Sequence, residues 1–71
     1  MSFNYKKLRG KIRGRFKTQE NFAKELGISS VTLSAKLNNR VEFTRLEIDK
    51  SCEILGIPKT AIPEFFFYPE S

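Results

Sequence analysis

No part of the chain restricts its fold as tightly as the stretch from Gln19 to Asn38. Thr18 can cap a helix that starts at Gln19, and Phe22, Ala23 and Leu26 fall on one face of it. Gly27 follows and can supply the positive φ that ends a helix. Ile28 returns to the core, and Ser29 caps another helix carrying Leu33 and Leu37 four residues apart. Asn38-Asn39 closes that helix, because Asn tolerates the left-handed conformation. Each residue has a physical task. Ala23 is small enough for the next helix to cross closely, and Gly27 makes the sharp turn. Phe22, Leu26, Ile28 and Leu33 lock the two helices at a fixed angle. The second helix is left with one buried face and one exposed face.

The flanks read as further helices. Tyr5, Leu8, Ile12 and Phe16 recur at spacings of three and four, which predicts a helix from about Tyr5 to Phe16 with Asn4 as its N-cap. Gly10 and Gly14 lie roughly opposite this stripe, where they either admit another backbone or sit on an exposed face. Thr44-Arg45-Leu46-Glu47 fits a capping box. The helix it opens presents Ile48, Cys52 and Leu55 on one face and ends at Gly56, and Pro58 prevents simple continuation. Residues 61–71 form an aromatic tail. Pro63 is acceptable in a first helical turn, but Phe65, Phe66, Phe67 and Tyr68 have no clear period, so a short fifth helix and an extended segment are both open. The expectation is one compact all-α domain over residues 1–71, with four to five helices and no linker or repeat. A domain of this size buries only about 60% of its unfolded surface and is marginal alone.

Charge narrows the partners. The net charge is +5, and Lys6, Lys7, Arg9, Lys11, Arg13, Arg15 and Lys17 follow one another without an acid between them. A clustered basic segment attracts polyanions over long range. Nucleic acid is the expected polyanion in this size class; a solvated helix face is the plainer alternative.

The pattern Gln19, Phe22-Ala23, Leu26-Gly27-Ile28-Ser29, Thr32-Leu33-Ser34 and Leu37-Asn38 resembles the helix-turn-helix of Cro-type and related phage repressors, the xenobiotic response element regulators. The likeness extends over about residues 5–57. It implies a lambda-repressor-like DNA-binding domain that places the helix after Gly27 in the major groove. On that reading Ser30, Val31, Ser34 and Ala35 face the bases, and Gln19, Ser29, Lys36, Asn38, Asn39 and Arg40 track the DNA backbone. Ser29 is equally explained as a plain helix cap. Many relatives carry an apolar residue where Lys36 stands, so Leu37 takes the inward role and Lys36 flanks the core, able to snorkel towards a phosphate. No Arg or Gln occupies the base-facing positions, so direct readout is expected to be modest. Relatives of this kind usually bind as symmetric dimers. Phe65, Phe66, Phe67 and Tyr68 are the best candidates for self-association, since at most two of these rings can cover the domain's own core.

Other classes fare worse. The chain has no His, and its one cysteine, Cys52, lies on an apolar helix face without an obvious base. Scattered carboxylates offer no metal-ligating pattern, and no cofactor is expected. No apolar run approaches the roughly 18 residues of a membrane span, and the start carries no signal-peptide pattern. A soluble regulator in the cytoplasm of a bacterial host is therefore expected, binding operator DNA as a homodimer and acting as a repressor. The rival is an interaction module that modulates another repressor through its aromatic tail or through the face of the helix after Gly27. The sparse base-reading chemistry of Ser30, Val31 and Ala35 gives that rival weight.

Overall fold

The structure, a computed structural model, describes residues 2–70. Met1 and Ser71, the two ends of the expected domain, lie outside the described residues. The chain is all-helical, with α1 (Lys6–Phe16), α2 (Gln19–Leu26), α3 (Ser30–Leu37), α4 (Arg45–Leu55) and, after a 3-10 turn at Lys59–Ala61, α5 (Ile62–Phe66). The helices enclose one core in a body of 29 × 25 × 21 Å.

The expected punctuation is in place at most joints. The Thr18 hydroxyl accepts from the Asn21 amide and Ser29 from the Thr32 amide, so α2 and α3 each start on a side-chain cap. Thr44 and Glu47 exchange both bonds of a capping box at the start of α4. Gly27 (φ +86°) and Gly56 (φ +69°) end α2 and α4 in the left-handed region. Asn39 takes φ +62° after α3. The tail resolves its ambiguity as a fifth helix with Pro63 in the first turn.

One cap differs. The residue before α1 is Tyr5, and its side chain makes no capping bond. Asn4 still accepts from the Lys6 amide at 2.8 Å, but its own amide donates to the Tyr68 carbonyl at 2.8 Å. That long-range bond holds Asn4 to the tail, one residue further out than a helix cap. At its other end α1 stops at Lys17 (φ +69°), where the Thr18 amide donates to the Phe16 carbonyl at 2.8 Å and closes a tight three-residue turn.

Leu8 and Ile12 of α1, Phe22, Ala23 and Leu26 of α2, and Leu33 and Leu37 of α3 are all buried. So are Ile48, Cys52 and Leu55 of α4, together with Phe66 of α5. Phe43, in the loop before α4, stands edge-on to Tyr5 and Phe66 with ring centroids 5.5 and 5.3 Å away. The segments on either side of the helices meet, with Phe3 paired antiparallel to Pro69. Asn39 clasps Phe3 from the other side, accepting from its amide and donating to its carbonyl, both at 2.9 Å. Among the described residues no helix is long and apolar enough to cross a membrane.

Candidate functional site

The packing just described decides which side of α3 is available. Leu33 and Leu37 point inward, so Ser30, Val31, Ser34 and Ala35 come together on the opposite side. With Asn38 and Arg40 they line a shallow concavity of about 430 Å³. All four residues expected to face a ligand are therefore neighbours, as are two of the six expected to flank it. The surface is nearly neutral. Arg40 is its one cation, and Val31 stands 79% exposed at its edge. Asn38 is already engaged: its amide nitrogen donates to the Ser34 carbonyl at 2.8 Å, and its oxygen accepts from Arg9 at 3.3 Å.

The other expected flanking residues scatter. Lys36 does not snorkel. It is 4% exposed, and its ammonium donates to the Glu42 carbonyl and pairs with Glu47, each at 2.9 Å. The ammonium also lies 5.9 Å from the centre of the Phe43 ring. Burial pushes the Glu47 pKa up, but the Thr44 amide bond and the bond and charge of Lys36 outweigh it and hold the carboxyl below its ordinary range. Lys36 is thus a structural tie between α3 and α4 that cannot reach a phosphate. The side chain of Asn39 is spent on Phe3. That of Ser29 is spent on its own helix, accepting from the Thr32 amide at 3.1 Å and donating to the Thr32 hydroxyl at 2.8 Å. Gln19 lies apart from the α3 concavity, in a hollow of about 260 Å³ with Arg9, Arg13 and Lys17.

The aromatic tail divides as its composition suggested. Phe66 is buried and Phe65 half-buried, whereas Phe67 and Tyr68 remain 47% and 52% exposed. Phe67 meets the edge of Phe3 at 5.6 Å and borders an apolar hollow of about 470 Å³ with Phe43, Ile48 and Ile62. Any contact by the tail with another chain is thereby narrowed to Phe67 and Tyr68. Cys52 is buried, and desolvation, helped by the Asp49 charge and opposed by Lys59, raises its thiol pKa. It serves as a core side chain.

Two features escaped the sequence. The Lys36–Glu47 pair joins residues eleven apart across a loop, and only the capping-box role of Glu47 was visible locally. The clasp of Phe3 by Asn39, with the pairing of Phe3 and Pro69, has no local signature at all.

Comparison with known proteins corrects the functional expectation. The solution structure of the modulator of repression (MOR) of the temperate bacteriophage TP901-1 from Lactococcus lactis is 42% identical to the chain. The match covers 94% of this chain and 90% of that one, with a TM-score of 0.82. No curated protein matches. The likeness to Cro-type repressors, and with it the assignment as a repressor that reads operator DNA, is overturned by this finding. The physical reason lies in which residues carried the likeness. Of that pattern, Ser29 is spent on capping α3 and Asn38 on Ser34 and Arg9, while Phe22, Ala23, Leu26, Leu33 and Leu37 are buried and Gly27 makes the turn. They specify two crossed helices and say nothing of what the outer face of α3 meets. A family model described as "Protein of unknown function (DUF739)" matches residues 1–69, and the chain belongs to that family.

Proposed function

We propose that the chain modulates repression by binding a repressor protein, with the outer face of α3 as the docking pad. The carrying observation is the 42% identity to a phage modulator of repression across nearly the whole of both chains. The character of α3 supports it. Ser30, Ser34 and Ala35 are small, so another protein's backbone can approach closely, and the exposed Val31 offers an apolar anchor. On this reading the protein is a non-catalytic binding module that works where the repressor works, in the cytoplasm of a phage-carrying bacterium.

The test is calorimetric titration of the chain into the repressor of the same phage, alone and bound to its operator. Binding with release of the operator is expected. Val31→Asp places a desolvated charge in the contact and should weaken binding at least tenfold, on the order of 1.4 kcal/mol or more. The helix itself tolerates an acid in its first turn, so circular dichroism should show an unchanged fold. A Val31→Asp variant that binds as tightly as wild type removes α3 from the interface, and absence of repressor binding by the wild type refutes the function.

A further inference from the structure

The basic run of α1 is two rows of unlike setting. Lys6, Arg9 and Arg13 share one edge of the helix, and Lys17, in the turn just past its end, lines the same hollow as Arg9 and Arg13; Lys7, Lys11 and Arg15 form the other edge. Beside the first row the surface is concave. Lys6 and Arg9 line a hollow of about 390 Å³ with Asn38 and Asn39, in which Glu70 is the one acid. Arg9, Arg13 and Lys17 line the next, of about 260 Å³, with Gln19. Asn38 belongs both to the first of these hollows and to the α3 concavity, and Arg9 joins the two hollows of the row. The row therefore continues the α3 pad along the molecule. In the second row Lys7 is already paired with Glu64, and Lys11 and Arg15 line none of these hollows.

We infer that the row Lys6, Arg9, Arg13 and Lys17 is a second contact for the same partner, receiving a strip of carboxylates on that protein beside the patch that meets Val31. Charge complementarity supplies the occupant. Arg9 is partly spent on the Leu37 carbonyl and Asn38, while no ion pair engages Lys6, Arg13 or Lys17 among the described residues. The arrangement gives the interface a neutral half that sets residence time and a cationic half that steers encounter. Lys11 and Arg15, carrying the same charge on an open convex edge, are solvated. This inference rests on the proposed binding of a repressor for the partner's identity, though not for the chemistry of the row.

Two charge-matched variants separate the rows: Arg13→Glu/Lys17→Glu, and Lys11→Glu/Arg15→Glu. Amide spectra of the full chain are recorded against a short poly-glutamate peptide, its poly-glutamine counterpart and a random-sequence DNA duplex. Poly-glutamate is expected to move the amides of Arg9, Arg13, Lys17 and Gln19, with affinity falling as salt rises, while poly-glutamine moves none. The first variant should lose this response at least tenfold and the second should stay within about threefold of wild type, whereas net charge alone would shift both equally. Equal losses in the two variants, or no movement along the first row, overturn the inference. Tighter binding of the duplex than of the peptide at these same amides overturns it in favour of nucleic acid. Val31→Asp should leave the poly-glutamate response intact, so a failure of the α3 pad and a failure of the row are read separately.

Discussion

The Lys36–Glu47 pair makes an asymmetric prediction. Lys36 carries its charge at a position 4% exposed, whereas the Glu47 side chain keeps about a fifth of its surface in solvent. Replacing Lys36 with Met keeps the stem that packs beside α4 and removes the ammonium together with its desolvation cost. The Glu47 carboxylate that remains is partly hydrated and still accepts from the Thr44 amide at 2.9 Å. The loss should be about 1 kcal/mol, the ordinary net worth of a hydrogen bond. Glu47→Gln does the reverse. It leaves a buried ammonium without its counter-charge, held by the Glu42 carbonyl, the Phe43 ring and the neutral amide oxygen that replaces the carboxylate. Breaking a buried pair in this direction costs about 3–5 kcal/mol, and the contacts that remain place this case at the low end, about 3 kcal/mol.

A chain of this length is stable by roughly 4–10 kcal/mol, so the second substitution removes a large share. Its melting temperature should fall by about 12–24 °C, against about 4–8 °C for Lys36→Met. The double variant, with no charge left to strand, should lie near Lys36→Met alone. Urea denaturation followed by circular dichroism measures all three. Glu47→Gln no more damaging than Lys36→Met would refute the reasoning, because it would mean that the ammonium finds water in the folded state. Acid titration gives a second readout. A carboxyl held below its ordinary range contributes stability that is complete above the unfolded pKa, about 4.3. That contribution is lost as pH falls through the lower folded value. The wild type should weaken below about pH 4, and Glu47→Gln should lack that part of the slope.

Three further substitutions test the packing. The Ser51 hydroxyl is fully buried with no hydrogen-bond partner among the described residues, so Ser51→Ala should stabilise the fold by about 1 kcal/mol in the same urea assay; a loss would reveal a partner for that hydroxyl. Among the described residues a Cβ at Gly14 meets nothing within 4 Å, and Gly14→Ala should gain up to about 1 kcal/mol from helix propensity. Gly27→Ala should lose a similar amount because φ there is +86°. A gain at Gly27 or a loss at Gly14 would contradict the assignment of one to a turn and the other to an open helix face.

Much of this fold is written locally. Thr18, Ser29 and Thr44 start helices, Gly27 and Gly56 stop them, and the stripes Leu8-Ile12, Phe22-Leu26, Leu33-Leu37 and Ile48-Cys52-Leu55 face one core. Each signal acts within four residues, the reach of a cap or of one helical turn. What the sequence did not disclose acts over longer reach. Asn39 reads as a helix terminator, and its φ of +62° agrees, yet its side chain crosses to Phe3. Lys36 reads as a surface cation because lysine is rarely buried unpaired. Its partner Glu47 was already accounted for by the capping box, which left no unsatisfied acid to prompt a search for a cation.

The site was half legible for a related reason. Periodicity puts Val31, Ser34 and Ala35 opposite or lateral to Leu33 and Leu37, with Ser30 at the N-terminal entry of the helix, and the structure gathers these four residues around one concavity on the outer face of α3. It could not say what that face meets, because the residues that specify the crossing of α2 and α3 are the ones sealed from any partner. The outward residues bear on the ligand chiefly by what they lack: no Arg, Gln or Asn at 30, 31, 34 or 35 to make a bidentate contact with a base edge. A face of two serines, an alanine and a bare valine suits close approach of another protein better than hydrogen bonding in a groove. The crossing of α2 and α3 is thus a scaffold that turns these four positions outward. In this chain those positions are filled with small, uncharged side chains, and the cations sit on the neighbouring helix, where they can meet acids beside the pad.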